Sequence, residues 1–349
     1  MKLSTCLSYT GDVFAGAVEI RALEEAGLDG VWVPEGYSYD AFTTMGFLAS
    51  QTHAVTIGSG VVNVYSRTPT VLAMSFAGLD MLSNGRAMCG IGASGPQVIE
   101  GFHGIAYEHP LQRIVETIEI CRATWRRELV DHHGPTIDIP LPDGVGTGLG
   151  KPLKLINHPV RDAIPVWWAS LVGRSVEKTA ELADGWIPAS FIPERSHELW
   201  GDSLARGRAT RSPQLAPLQV LAGGPLKITR SPDEVTAFHD RGRLAAALYL
   251  GGMGAKSKNF YNDLLAAYGW GREAQEIQSL FLSGEKERAA AAVPLAYLEA
   301  TSLVGPVEYI RDRVAAYQEA GVTHLQTILE GPLEEKVSSI ATLKEILEG

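Results

Sequence analysis

Side chains able to act on a substrate are sparse in this 349-residue chain, and they gather just after short apolar runs. Tyr9, Thr10 and Gly11 close the first run, Pro34-Glu35-Gly36-Tyr37 the second, and Gly58-Ser59-Gly60-Val61-Val62-Asn63 the third. Gly90-Ile91-Gly92-Ala93-Ser94-Gly95, Ala169-Ser170-Leu171-Val172-Gly173-Arg174 and Ala189-Ser190 follow in the same way. Glycine and small residues predominate, which suits a flat ligand laid against main chain better than a pocket of charged catalysts. The sequence holds no Gly-x-Ser-x-Gly elbow, no His-Glu-x-x-His pair and no Cys-x-x-Cys, and the adjacent His132 and His133 on a loop make a poor ligand pair. With neither a nucleophile nor a metal signalled, reactivity is expected from a borrowed cofactor.

Two of these stretches invite a sharper reading. Gly90 to Gly95 matches Gly-x-Gly-x-x-Gly, but the dinucleotide fingerprint opens the first strand-turn-helix unit and ends with an acid about 20 residues on. Here the match follows a fourth strand, and Glu116 and Glu119 fall on a helix. The other reading is a glycine-lined strand end that a ring system approaches closely. Ser170 to Val176 is a small-residue turn opening a helix. Either its orphan amides and Arg174 receive an anion, or it is an ordinary helix cap.

The elements that must position these residues alternate along the whole chain. Eight apolar runs read as strands: residues 2–9, 30–34, 55–60, 86–92, 164–170, 185–190, 217–224 and 322–329. They are continuously apolar, as in a parallel sheet covered on both faces. Helical spacing lies between them, as at Ile20, Leu23 and Gly27 or at Ile340, Leu343 and Leu347. Ser231, Pro232 and Glu234 form a capping box with its proline in place. ALEEAGLDGVWV (residues 22–33) and AYQEAGVTHLQT (residues 316–327) show one helix-to-strand corner used twice. Eight strand-helix units in about 250 residues predict a (β/α)8 TIM barrel, α/β in class, with the surplus of roughly 100 residues in insertions. The whole chain, 1–349, is then one barrel domain with insertions at about 93–109, 130–165 and 251–305. The 130–165 stretch reads as a loop carrying a hairpin, and 251–305 as extra helices or, alternatively, a separate small domain.

Composition narrows the class. Hydrophobic residues make up 45% and charged residues 20%, which is ordinary globular balance. A net charge of -10 speaks against nucleic acid as a partner and leaves small molecules. No apolar run is long enough for a membrane span, and the start MKLSTCLSYTGD is too short and polar for a secretory signal, so a cytoplasmic location is expected. Cys6, Cys89 and Cys121 are read as buried thiols rather than a disulfide framework.

Three stretches carry a family likeness: SRTPTVLAMSFAGLDMLSNGRAMCGIGASGPQVIEGFHGIAYEHP (residues 66–110), GTGLGKPLKLINHPVRDAIPVW (residues 146–167) and ELADGWIPASFIPE (residues 181–194). Together they resemble the luciferase-like superfamily, specifically F420-dependent oxidoreductases related to methylenetetrahydromethanopterin reductase, and the run SGPQVIEG followed by HG is a specific signature. The resemblance implies a TIM barrel of the bacterial luciferase-like type, usually a homodimer, with the deazaflavin coenzyme F420 at the carboxyl end. It implies a non-prolyl cis peptide at Gly60-Val61 whose bulge backs the ring, Val62 and Asn63 beside it, and Gly92, Ala93 and Ser94 on the other flank. Gly173, Arg174, Ser175 and Val176 would take the phosphate, and Glu35 occupies the place of an acid near the ring.

The departures from the pattern matter as much. Relatives that oxidise an alcohol follow that acid with a histidine base, where this chain has Gly36; some carry a glutamate where it has Gly95. LVGRSVEK after the fifth strand replaces the commoner LGPK form. The likeness therefore points to hydride transfer between the deazaflavin C5 and a small organic substrate, most simply reduction of an activated C=C or C=N, with a proton from Glu35, Tyr37, Tyr65 or His103. Each of these four also has a structural reading, and for His103 it is packing of the GFHG loop. Two other functions stay open: a monooxygenase using reduced flavin mononucleotide (FMN), and a barrel that binds cofactor without turnover.

Overall fold

The computed structural model describes residues 1–254 and 258–348. Eight parallel strands, β1 (Lys2–Cys6), β2 (Gly30–Val33), β3 (Thr56–Ser59), β4 (Ala87–Gly92), β5 (Val166–Ala169), β6 (Gly185–Ile187), β7 (Gln219–Ile228) and β8 (His324–Leu329), pair each with the next. β8 pairs back onto β1, so the sheet closes into a barrel with helices outside it. All eight expected strands are present, and the fold is the expected (β/α)8 barrel. β1 is shorter than expected, stopping at Cys6, which leaves Tyr9 in the loop above the mouth. β7 is longer, continuing through Pro225 to Ile228. Its first residues pair with β6 and its last three with Leu303–Gly305, a strand the sequence pattern did not signal.

Trp32, Met88, Trp167 and Leu221 fill the barrel interior, with Cys6 and Ile187 packed against them. The two indoles meet edge to face at 5.3 Å and 72°. Space for them comes from glycine: a Cβ on Gly58 would lie 2.6 Å from Trp32, and one on Gly185 2.1 Å from Trp167. An aromatic of this size removes about 200 Å² from water, worth about 5 kcal/mol at ~25 cal/mol per Å², so the floor beneath the mouth is a fixed feature. Neighbouring strand residues point to opposite faces, so Trp168 joins the larger cluster between sheet and helices while Trp167 points inward.

The repeated corner is real in detail. Gly27 and Gly321 both have left-handed φ, +102° and +83°. In both, the following amide reaches back to the helix, Leu28 to Leu23 at 2.9 Å and Val322 to Tyr317 at 3.0 Å. At the Ser231 cap, the Glu234 amide donates to Ser231 Oγ at 3.3 Å, while the Glu234 carboxylate accepts from the Arg230 amide at 2.9 Å. The 130–165 stretch holds the expected hairpin, His132–His133 against Asp138–Ile139. Between Leu248 and Ala300, helical segments lead to the unanticipated strand, and Leu250, Leu265 and Ile277 there belong to the same buried cluster as the barrel. Among the described residues, no helix is long and apolar enough to cross a membrane. Cys89 and Cys121 are buried thiols as expected. Cys6 is partly exposed as a residue at the mouth, with its side chain packed against the barrel interior.

Candidate functional site

One wall of the mouth is built from β3 and β4. Ile57 and Gly58 stand opposite Ala87 and Met88, an offset of 30, whereas Val62 and Asn63 stand opposite Ile91 and Gly92, an offset of 29. The change of 30 - 29 = 1 means that the β3 side carries one extra residue, a bulge across Ser59, Gly60 and Val61. Ser59 Oγ donates to the Gly90 carbonyl at 2.5 Å, and the Gly60-Val61 peptide is cis. A Cβ on Gly60 would sit 3.1 Å from Trp32 Cβ, and one on Gly92 3.0 Å from Val61 Cγ2. The wall therefore presents main chain and small groups. Asn63 Oδ1 accepts from the amides of Tyr65 (3.0 Å) and Ser66 (2.7 Å), which fixes the chain leaving the bulge. Beyond Gly92 and Ala93, Ser94 is left-handed (φ 59°) and its carbonyl accepts from the Tyr107 hydroxyl at 3.1 Å.

The neighbouring strand supplies the helix start. β5 pairs with β4, and the helix Gly173–Leu182 begins four residues after β5 ends. Val172 is its N-cap residue and supplies no side-chain hydrogen bond; Ser175 Oγ turns back to the Val172 carbonyl at 2.8 Å. The amides of Gly173, Arg174 and Ser175 are thus the first-turn donors that a helix cannot satisfy itself, and Arg174 is exposed beside them. The structure brings Gly60–Asn63, Gly92–Ser94 and Gly173–Val176 together on consecutive strands at one end of the barrel.

The four proposed proton donors fare differently. Glu35, 8% exposed, receives both Arg67 terminal nitrogens, at 2.8 and 2.7 Å, and the Ala41 amide at 3.0 Å. Arg67 also pairs with Asp40. Glu35 therefore ties the end of β2 to the start of the helix Ala41–Gln51 and is built as an acceptor, a poor donor. Tyr65 is buried, its hydroxyl donates to the Glu108 carbonyl at 2.8 Å, and its ring stacks on Tyr107 at 5.4 Å. Both features suit a structural role. The His103 ring packs edge-on against Phe102, its amide closes the turn onto Val98 at 3.1 Å, and its Nε2 is enclosed without a partner among the described residues. That is the loop-packing reading. Tyr37, 65% exposed, leans on Phe102 from the rim.

Sequence reasoning missed the opposite wall. Tyr249 on the π-helical turn Leu248–Gly252 and Tyr261 on the helix Phe260–Leu265 meet edge to face at 5.2 Å. With Tyr9 and Cys6 they form a cluster of hydroxyls and a thiol. Burial pushes the Cys6 thiol up to about 12 and, with the Tyr249 and Tyr297 hydroxyls nearby, the Tyr261 phenol up to about 12. Burial raises Tyr9 and Tyr249 as well, so these groups keep their protons at neutral pH. The only advance signal was that both tyrosines fall in the 251–305 insertion or at its edge.

With this geometry in place, comparison with known proteins is informative. Residues 3–324 match the family model described as luciferase-like monooxygenase. A Mycobacterium tuberculosis protein provisionally named a coenzyme F420-dependent oxidoreductase is 36% identical over 98% of this chain and 99% of its own. The 5,10-methylenetetrahydromethanopterin reductase of Archaeoglobus fulgidus is 24% identical over 94% of this chain and 93% of its own. The solved coenzyme F420-dependent tetrahydromethanopterin reductase of Methanopyrus kandleri superposes with a TM-score of 0.78 at 20% identity, covering 98% of this chain and 97% of that one. At that identity the last likeness speaks for the fold alone.

Proposed function

Since this chain belongs to the luciferase-like monooxygenase family, alongside a coenzyme F420-dependent oxidoreductase 36% identical to it, we propose that it is an F420-dependent reductase of an activated C=C or C=N bond in a small organic molecule. It is an oxidoreductase. The observation that carries the reading is the bulged, glycine-lined wall at the mouth, where side chains on Gly60 and Gly92 would crowd Trp32 and Val61.

A flat tricyclic ring fits that wall, and a phosphorylated tail fits the first-turn amides of the adjacent helix, so the residues present suit F420. Val61, Val62 and Asn63 would back the ring, Gly92, Ala93 and Ser94 would flank it, and Gly173 to Val176 with Arg174 would hold the phosphate. When bound, reduced F420 supplies a hydride from its C5. Trp32 and Trp167 close the barrel beneath and keep bulk water from the reacting face. The fixed Glu35-Arg67 pair anchors the rim rather than the chemistry.

A titration followed by absorbance tests this reading. F420 should bind in the micromolar range and FMN far more weakly; tight FMN binding with indifference to F420 would favour the monooxygenase alternative. Silence with reduced F420 across enones, imines and dehydroamino residues, despite good binding, would favour a barrel without turnover. We further propose one domain spanning 1–349, a cytoplasmic location and a homodimer. Val71, Met74, Met81 and Leu82 form an exposed apolar stripe on the helix Pro69–Leu82, and such a stripe is a natural contact for a second copy.

A further inference from the structure

The tyrosines around the mouth divide by what their hydroxyls do. Tyr65 donates to the Glu108 carbonyl, Tyr107 to the Ser94 carbonyl, Tyr268 to the Ser190 carbonyl at 2.9 Å and Tyr297 to Ser190 Oγ at 2.8 Å. Their protons are committed to the protein. Tyr9 and Tyr249 have no such acceptor among the described residues, and the two side chains lie close to one another. The Tyr9 ring lies over Gly36, 3.5 Å from where a Cβ would be, an ordinary packing distance. Tyr9 is 45% exposed as a whole, and Cys6, Tyr249 and Tyr261 are its neighbours. Tyr249 is held by Tyr261 edge-on and by Asn259, whose Nδ2 donates to the Tyr249 carbonyl at 3.3 Å.

Topology sets the direction this pair faces. In a closed ring of eight strands, β7 stands diametrically opposite β3, and Tyr249 follows the helix after β7 while the bulge lies at β3. A ring held against the bulge would leave its other face toward the side of the mouth that carries Tyr249, where a substrate would lie. We propose that Tyr249 is the proton donor of the reductive reaction and Tyr9 its positioning residue. This inference rests on the F420-reductase reading above.

The step balances. Hydride from reduced F420 forms a C–H bond at the electron-poor end of C=C, and the π pair moves onto the other carbon and its conjugated oxygen. The Tyr249 O–H bond breaks, its proton forms the second C–H bond, and Tyr9 donates a hydrogen bond to the tyrosinate that remains. Solvent then returns the proton to Tyr249. The high affinity of both phenols for their protons, caused by burial, keeps the donor loaded at neutral pH.

The test uses wild-type, Tyr249→Phe and Tyr9→Phe full-length chains with F420, two probes and melting curves to confirm folding. Cyclohex-2-en-1-one with reduced F420 reads proton transfer, and 4-nitrophenolate reads donation to an oxyanion without turnover. F420 affinity should be the same in all three chains. Tyr249→Phe should weaken nitrophenolate about tenfold or more, since a donor to a charged acceptor is lost. It should also lower kcat on cyclohexenone by about a hundredfold with KM little changed, and remove the solvent isotope effect. Tyr9→Phe should fall between wild type and Tyr249→Phe in both readouts. Equal nitrophenolate affinity in wild type and Tyr249→Phe, or no saturable binding by wild type, overturns the proposal whether or not cyclohexenone is turned over. Absence of F420 binding by wild type would instead overturn the cofactor reading, and the dye would still judge the phenol pair.

Discussion

On the wall made by β3 and β4 the mouth offers main chain, with Gly60 and Gly92 bare because Trp32 and Val61 already fill the space beside them. Across the barrel it offers rings and hydroxyls, Tyr9, Tyr249 and Tyr261, carried by a loop and by an insertion. The first wall has no group that titrates and can do little but support a flat molecule. The second carries phenols that keep their protons at neutral pH. The contrast follows from construction: strand ends tied by sheet hydrogen bonds are rigid and shared across a barrel family, whereas insertions are free to vary.

The most damaging way to break the contrast is Gly90→Ala. Its Cβ would fall 1.7 Å from the Ser59 carbonyl oxygen, so the β3-β4 pairing must yield. A loss of about 3 kcal/mol or more is expected in denaturant unfolding, with F420 binding abolished. Next comes Arg67→Ala, which leaves the Glu35 carboxylate buried beside the Ala41 amide without its cation; about 3 kcal/mol should be lost. A mild effect there would mean that Glu35 is freer than its contacts indicate and could return as a proton donor.

The floor on which both walls stand supplies a pH test. Burial pushes His324, packed against Trp167 at 4.9 Å, down to about 4 from its ordinary 6.5. The folded state therefore binds fewer protons than the unfolded state between those values. This contribution is complete above about pH 6.5 and fades as pH falls toward 4, about 3 kcal/mol in all. Denaturant midpoints measured from pH 7 to 4 should fall less steeply in His324→Asn than in wild type. Smaller again is Gly92→Leu, expected to cost about tenfold, or 1.4 kcal/mol, in F420 affinity while Tyr249→Phe costs nothing. Equal losses from the two would erase the division of labour between the walls. Last, Met74→Glu with Met81→Glu should shift a dimer to monomer in sedimentation with little change in melting temperature; a monomeric wild type would end the homodimer proposal.

Much of this was legible in advance where the signal was local. The eight strands showed as apolar runs, the two corners as Glu-Ala-Gly followed by a strand, and a hairpin somewhere in the Pro- and Gly-rich 130–165 stretch, which the structure locates at His132–His133 and Asp138–Ile139. The bulge at Gly60 came from likeness to a family rather than from spacing. Tyr249 stayed invisible because one tyrosine in a helical stretch reads as packing, and only the position of β7 across from β3 gives it a partner. The pairing of Glu35 was hidden for a related reason: its cation, Arg67, lies 32 residues away and reaches it only when the loop after β3 folds against the start of the helix Ala41–Gln51.

What the sequence determined by itself was the order of elements and the chemistry on offer, since strand periodicity, caps and glycine corners act within a few residues of one another. Which side chains face each other across the mouth, which carboxylate is already paired and which hydroxyl keeps a free proton were decided only by tertiary structure. Those properties depend on distances between residues tens to hundreds of positions apart, and closing the barrel is the event that sets them.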